Sequence, residues 1–519
     1  MATWGMLAPS DLAETAATIT HTIFASLDWF FMGSVTAFLL LTLWLGLGRY
    51  GRLRLGGPDE KPEFTTASWL SMLFSAGMGV GILFWGVAEP MTHYVAPPVG
   101  SAETAHAARR AMVLTNLHWG LHAWSVYCVG ALVLGYFAFR RGGKWLAGAP
   151  LRLVFRGSWV NPVANLADGI AVIAIAFGVA GSLVMGAMQL QTGLNVTLGW
   201  SADSAGVGFG ILAVLTVAYM LSAATSLDKG IQLLSNANVA LALLLLVFVL
   251  LAGPTGFLLR SAATALGDYL SALPALSLSL YPYRDTGGWL EAWTLTYFIW
   301  WIAWAPFVGI FIARISRGRT IREFVLGVTL TPTLLSILWF AVFGGTGLHA
   351  EMTDSPGFAS VVAEDVTLAL FTLYETLPGS TVLTGVSLVL IFVFLVTSAD
   401  SATFVLGMLS SAGSLDPPRT QKLGWGVGLA LMAGGLLLAR SIDAVRAVVV
   451  LGAIPFTFIL VLQVVALLRV LPGDLADELA RAAAEDEADP PPDGASMPET
   501  APDAPASDGD DTVAGEVPA

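Results

Sequence analysis

The chain has 519 residues, of which 56% are hydrophobic and only 12% charged, with a mean hydropathy of +0.75. Soluble chains carry roughly twice that charge content, so the composition excludes a water-soluble globular enzyme or nucleic-acid binder and implies an all-α polytopic membrane protein. The net charge of -13 belongs to one end: from Asp474 onward there are 14 acidic residues and one basic one, Arg481, which leaves 23 of each sign before it. The single cysteine, Cys128, excludes an intrachain disulfide and any multi-cysteine metal site.

Residues 1–27 hold Asp11 and Glu14 but no Lys or Arg, so no cleaved signal peptide is expected there, only an N-terminal extracytoplasmic segment. Apolar runs long enough to cross a bilayer fall near 28–49, 66–88, 111–138, 164–191, 207–226, 231–252, 289–313, 324–347, 384–411, 423–440 and 445–468, which makes eleven transmembrane helices. The segments near 255–280 and 362–378 read as surface helices. With the basic loop at 49–61 placed inside, inside segments carry 18 Lys/Arg and outside segments six, so the C-terminus is expected in the cytoplasm. Residues 471–519 are rich in Ala, Pro, Asp and Glu and cannot bury apolar surface, so this acidic tail is expected to be disordered.

Three stretches stand out within the spans. The first is Gly77-Met78-Gly79-Val80-Gly81 in the span 66–88; three glycines in five residues fit either an unwound segment or close helix packing. The second is Trp119, Trp124 and Tyr127, which on one continuous helix fall at about 0°, 140° and 80° and line one broad face. A second wall is offered by the span from Trp289, where Trp300, Trp301 and Trp304 lie mid-span rather than at its ends. Pro306 and Gly309 follow and predict a break in that helix. Cation–π attraction to such rings suits a quaternary ammonium group without needing a costly buried carboxylate. The third stretch is Thr397-Ser398-Ala399-Asp400 in the span 384–411: two hydroxyls offer oxygen to a small hard cation, and Asp400 is an intramembrane carboxylate. His118 and His122 have the i,i+4 spacing of metal ligands, but Trp119 follows His118, so the zinc-protease motif is absent and ordinary hydrogen-bonding histidines are expected.

Five spans counted from 66 cover 66–252, and five counted from 289 cover 289–470. The two groups enter the membrane from opposite sides and each opens with a helix expected to be interrupted. Interrupted helices at matching positions of inverted halves indicate a transporter's binding site. Residues 28–65 then form a peripheral helix and cytoplasmic loop, and 253–288 connect the halves.

The runs FSAGMGVGILFWGVAEP, NLHWGLHAWSVY, WWIAWAPFVGIFIARISRGRTIREF and FLVTSADSATFVLG resemble the betaine/choline/carnitine transporter (BCCT) family, over residues 28–470. The resemblance implies a leucine-transporter-like core of two inverted five-helix repeats, assembled as a homotrimer in the lipid bilayer. It implies an aromatic box for an onium head at Trp119, Trp124, Tyr127 and Trp301, with Trp304 on the exit path or a second wall. The substrate's carboxylate would lie against the backbone of Ala76, Gly77, Met78 and Gly79. The coupling ion, sodium, would take carbonyls of Ser75, Met78 and Phe394 and the hydroxyls of Thr397 and Ser398. The sequence departs from the family in three places. Family members usually have twelve spans, and residues 1–27 read like the end of the loop after the first. Ile175 and Val179 stand where a second sodium site would need hydroxyls. Thr296 and Phe298 replace larger aromatics. Gly81 resembles sodium-coupled carriers, and the acidic tail gives no support to osmosensing through a basic C-terminal helix.

These features predict a secondary active transporter, not an enzyme, importing glycine betaine or a related onium osmolyte by sodium symport, with no cofactor beyond the coupling ion. A proton-coupled choline carrier or an ion-independent onium exchanger is the alternative. An intramembrane hydrolase using His118, His122 or Asp400 is disfavoured, because these groups fall on different helices without a nucleophile motif; a channel is disfavoured by the paired broken helices.

Overall fold

The computed structural model describes residues 2–77, 79–199, 204–225, 228–353 and 355–488. They form an all-α protein; the sole β-type pairing among them is an isolated bridge between Arg54 and Thr320. In chain order the helices are α1 (Ala2–Leu7), α2 (Pro9–Leu47), α3 (Thr66–Gly77), α4 (Val80–Val95), α5 (Ala105–Trp119), α6 (Leu121–Gly135), α7 (Ala149–Val154), α8 (Val160–Leu198) and α9 (Ala205–Ala224). There follow α10 (Asp228–Ala252), α11 (Thr255–Leu276), α12 (Thr296–Ile315), α13 (Ile321–Met352), α14 (Phe358–Glu364), α15 (Ala369–Glu375), α16 (Ser380–Ser410), α17 (Arg419–Leu437) and α18 (Ile442–Ala488).

Helix stands at each of the eleven expected spans. Nine stretches among the described residues are long and apolar enough to cross a membrane. The other two expected spans are the glycine-interrupted pair α3 and α4, and α17, whose 19 residues include Arg419 and Lys422. The chain divides into two compact units, Met1–Pro472 and Gly473–Ala519. The second is helical as far as Ala488, so the disorder expected from 471 does not hold for its first part. Acidic residues there alternate with Ala and Leu, which are strong helix formers. Its residues 489–519 lie outside those described.

Two expectations about helix breaks change. Pro306 does not interrupt its helix: α12 runs from Thr296 to Ile315 as one element, preceded by a π-helical turn at Glu291–Leu295. A proline removes one ladder bond and crowds the carbonyl four residues back, but the helix tolerates this when its neighbours hold it. Gly309 serves packing instead. A Cβ added there would meet the backbone of Gly130 and Ala131 at 3.3 and 3.2 Å, so α12 crosses α6 almost backbone to backbone. Gly309→Ala should therefore destabilise the protein by about 1–3 kcal/mol through overpacking. An unchanged melting midpoint in detergent would contradict so tight a crossing.

Conversely, the span 111–138 is broken, at Gly120 between α5 and α6. A side chain at Gly120 would collide with the Asn116 carbonyl and, at 2.6 Å, with the Tyr269 hydroxyl. Tyr269, fully buried on α11, accepts the Leu121 N–H at 2.9 Å and so satisfies a donor freed by the break. Arg109 on α5 also bonds Asp268 on α11, which holds that carboxyl below its ordinary pKa.

The arginine-rich turn after α12 is a structural joint as well as a run of charge. Arg319 is 2% exposed, lies 4.3 Å from the centroid of Trp69 on α3 and donates to the Phe64 carbonyl at 2.8 Å. The Trp69 indole donates to Ser316 Oγ at 2.9 Å. Thr320 then starts α13 with a capping box: the Glu323 N–H donates to Thr320 Oγ1 at 3.2 Å, and the Thr320 N–H donates to Glu323 Oε2 at 3.0 Å.

Candidate functional site

The four predicted box residues come together although they sit on three helices. Trp119 is the last residue of α5, Trp124 and Tyr127 lie on α6 beyond the Gly120 break, and Trp301 lies on α12. The angles expected for one continuous helix therefore do not apply. Trp301 is the hub: its ring centroid is 5.2 Å from Trp119, 5.1 Å from Tyr127 and 6.3 Å from Trp124. The contacts to Trp119 and Tyr127 are edge-on, at 88° and 76°. Edge-on packing sets the rings at right angles, so that their faces wall more than one side of a space.

All four rings border a cavity of about 1910 Å³. Gly79, between α3 and α4, and Gly81, in the first turn of α4, border it too. Gly79 has extended backbone, φ -146° and ψ 179°, so the helix is interrupted at the glycine motif as one of its two readings expected. A Cβ on Gly81 would sit 3.1 Å from the Trp119 ring, so this glycine makes room for the box. Of the expected carboxylate contacts, Ala76 and Gly77 close α3 and Met78 lies outside the described residues.

Phe394, Thr397 and Ser398 on α16 line the same cavity, as does Asp400. The Thr397 hydroxyl donates to the carbonyls of Val393 at 3.0 Å and Phe394 at 3.2 Å. Two of the oxygens expected around sodium are thus already adjacent; Ser75 lies within α3, and Met78 is again outside the described residues. Ile175 and Val179 are buried on α8. Trp304 lines the cavity and packs against Phe307, with ring centroids 5.5 Å apart. Thr296 borders the cavity, whereas Phe298 is fully buried and stacks on His122 at 5.4 Å.

His118 and His122 do not form a pair. His118 instead meets Glu89 and His93 of α4, residues the sequence reading did not single out. Its Nδ1 is 2.6 Å from Glu89 Oε1 and its Nε2 is 2.9 Å from Thr294 Oγ1. His93 Nε2 lies 3.4 Å from the same Glu89 oxygen, and all three residues are completely buried. The ligand atoms lie within 4.8 Å of one another, as a metal site would require. The 2.6 Å contact is nevertheless a hydrogen bond: ligands each about 2.0–2.2 Å from a tetrahedral ion stand well over 3 Å apart. The visible signal was an acidic residue and a histidine four apart, Glu89 and His93, inside an apolar run.

From the bounding aromatics the cavity continues to Arg314, Arg317, Arg419 and Lys422 at the basic end of the spans. The aromatic rings, the interrupted helix at the glycine motif and these basic residues thus border one continuous cavity.

Comparison with known proteins identifies the family. The family described as BCCT, betaine/carnitine/choline family transporter, matches residues 1–475. Among relatives, the glycine betaine transporter OpuD of Bacillus subtilis is 40% identical over 90% of this chain and 91% of its own length. The ectoine/hydroxyectoine transporter of Virgibacillus pantothenticus is 39% identical over 90% and 93%. A glycine betaine transporter of Acinetobacter baylyi is 39% identical over 90% of this chain and 70% of its own. With the spans, the glycine-broken helix and the aromatic box in place, the chain belongs to the betaine/carnitine/choline family of multi-pass membrane transporters and is not an enzyme.

Proposed function

We propose that this transporter imports a zwitterionic onium osmolyte, glycine betaine or a close analogue, by sodium symport across the cell membrane. The observation that carries the reading is the set of four aromatic rings around one end of the cavity, Trp301 touching the other three. A trimethylammonium group has no N–H to donate, so ring faces rather than hydrogen-bond acceptors suit it. The names of the relatives above include both betaine and ectoine carriers, and ring faces attract either cation, the trimethylammonium of betaine or the amidinium of ectoine.

The Lys/Arg bias supports a cytoplasmic Arg314–Lys422 end of the cavity and a cytoplasmic C-terminus. Sodium binds where the Phe394 carbonyl and the Thr397 and Ser398 hydroxyls line the cavity wall, with the remaining oxygens supplied near the glycine break. The chain assembles as a homotrimer, as the family resemblance implies.

Uptake of radiolabelled glycine betaine into proteoliposomes tests the proposal. Accumulation above equilibrium that requires an inward sodium gradient is expected. Uptake that ignores sodium and follows a pH gradient would replace sodium by protons, and mere equilibration would leave a facilitator.

A further inference from the structure

We infer that Glu89 is the residue that positions the aromatic box, so that a buried carboxylate outside the cavity sets onium affinity through Trp119. The inference rests on the transport reading above. Glu89 is fully buried on α4, the helix that begins at the glycine break, and it does not border the cavity. Its Oε2 accepts the Trp119 indole N–H at 2.8 Å and the Tyr297 hydroxyl at 2.5 Å. Its Oε1 faces His118 Nδ1 at 2.6 Å and His93 Nε2 at 3.4 Å. Both oxygens are therefore engaged, and two of the four partners, Trp119 and Tyr297, border the cavity.

The same network reaches the opposite wall. The Trp301 indole donates to the His118 carbonyl at 2.8 Å, one of the carbonyls near the end of α5 that the Gly120 break leaves without a helical partner. The His118 ring stacks on Tyr297 with centroids 4.9 Å apart and planes 5° from parallel. The edge-on rings thus end in hydrogen bonds to neighbouring groups, Trp119 to the Glu89 carboxylate and Trp301 to the main chain of His118. Arg446 completes the surroundings, 4.6 Å from the Trp293 centroid and 5.9 Å from that of Tyr297.

Physically, indole is a flat plate that can rotate about two bonds, and its value as a cation binder depends on presenting a face. A charge-assisted bond to Nε1 fixes the plate, and the carboxylate polarises the ring so that its face is more negative. The carboxylate stays clear of the substrate, so a zwitterion meets no repulsion between its own carboxylate and a bare one. Glu89 joins α4 and α5 of the first half to α12 of the second, so the box is assembled only when all three are in place.

A double-mutant cycle tests the assignment, with glycine betaine and ectoine as probes and binding followed by calorimetry on purified full-length protein. Glu89→Gln keeps the size of the side chain and removes its charge. Glu89→Asp keeps the charge that His118 faces but is one methylene short of Trp119, and serves if the Gln variant does not fold. Either should weaken binding by roughly tenfold, the equivalent of one desolvated cation–π contact. In a Trp119→Phe background, which keeps a ring but has no N–H, the same change should cost less than about twofold, because residues acting through each other are not additive. A merely structural role would give the same factor in both backgrounds and would overturn the inference, as would unchanged affinity in either Glu89 variant. Wild-type protein that binds neither probe would instead overturn the transport reading on which the inference stands.

Discussion

Trp301→Leu should weaken glycine betaine binding by about 1–2 kcal/mol, roughly 5- to 30-fold, while the protein still folds. Trp301 touches Trp119, Trp124 and Tyr127, so its loss opens the box at its centre rather than at one edge. Leu fills part of the space but has no ring face. It also cannot reach the His118 carbonyl that the Trp301 indole satisfies at 2.8 Å, and leaving that acceptor unpaired costs about 1–3 kcal/mol of stability. Trp301→Phe separates the two losses. It keeps a face and drops the hydrogen bond, so binding should fall less than in the Leu variant while the melting midpoint falls by a similar amount. Affinities from tryptophan fluorescence or calorimetry, read beside thermal melts, check this. Unchanged affinity in the Leu variant would remove Trp301 from the site.

The second large effect concerns coupling. Thr397→Val with Ser398→Ala should raise the sodium concentration for half-maximal uptake many-fold, with little change in helix stability. The Thr397 hydroxyl is bonded back to the Val393 and Phe394 carbonyls of its own helix, so its removal leaves no buried donor stranded. A hard cation, by contrast, needs several oxygens to replace its water and would lose two. Ile175 and Val179 are buried apolar residues where a second site would need hydroxyls, so one sodium per cycle is expected. Uptake should rise with external sodium with a Hill coefficient near one, and because that coefficient is only a lower bound, the stoichiometry should come from the reversal potential. Asp400 lines the same cavity and offers the competing outcome. Sodium-independent uptake that follows pH and is abolished by Asp400→Asn would transfer coupling to a proton.

Much of the molecule was legible because a bilayer constrains sequence so strongly. A spanning segment must satisfy its backbone internally and bury apolar side chains, so length and hydropathy alone located helix at all eleven expected places. Trp301 was legible for a related reason, since a tryptophan at mid-span is out of its usual place at the interface, whereas the four-residue box came from the resemblance to the family. Glu89, an acidic residue in the apolar run GILFWGVAEPMTHY, is as visible an intramembrane carboxylate as Asp400. Apart from His93 four residues on, the partners of Glu89 are remote in the chain: His118 is 29 residues away and Tyr297 is 208 away.

Composition and pattern by themselves determined the class of protein, the helices and the residue types of the site. Tertiary structure alone decided where helices yield. Pro306 was expected to break its helix and does not, because the loss of one ladder bond is small beside the packing of α12 on α6 through Gly309 and Gly130. Gly120 was not expected to break its helix and does, because the Tyr269 hydroxyl of a distant helix fills the space a side chain would need and accepts the freed Leu121 N–H. Whether a glycine or proline ends a helix depends on which groups from elsewhere in the chain arrive to satisfy the backbone, and local sequence holds no record of them.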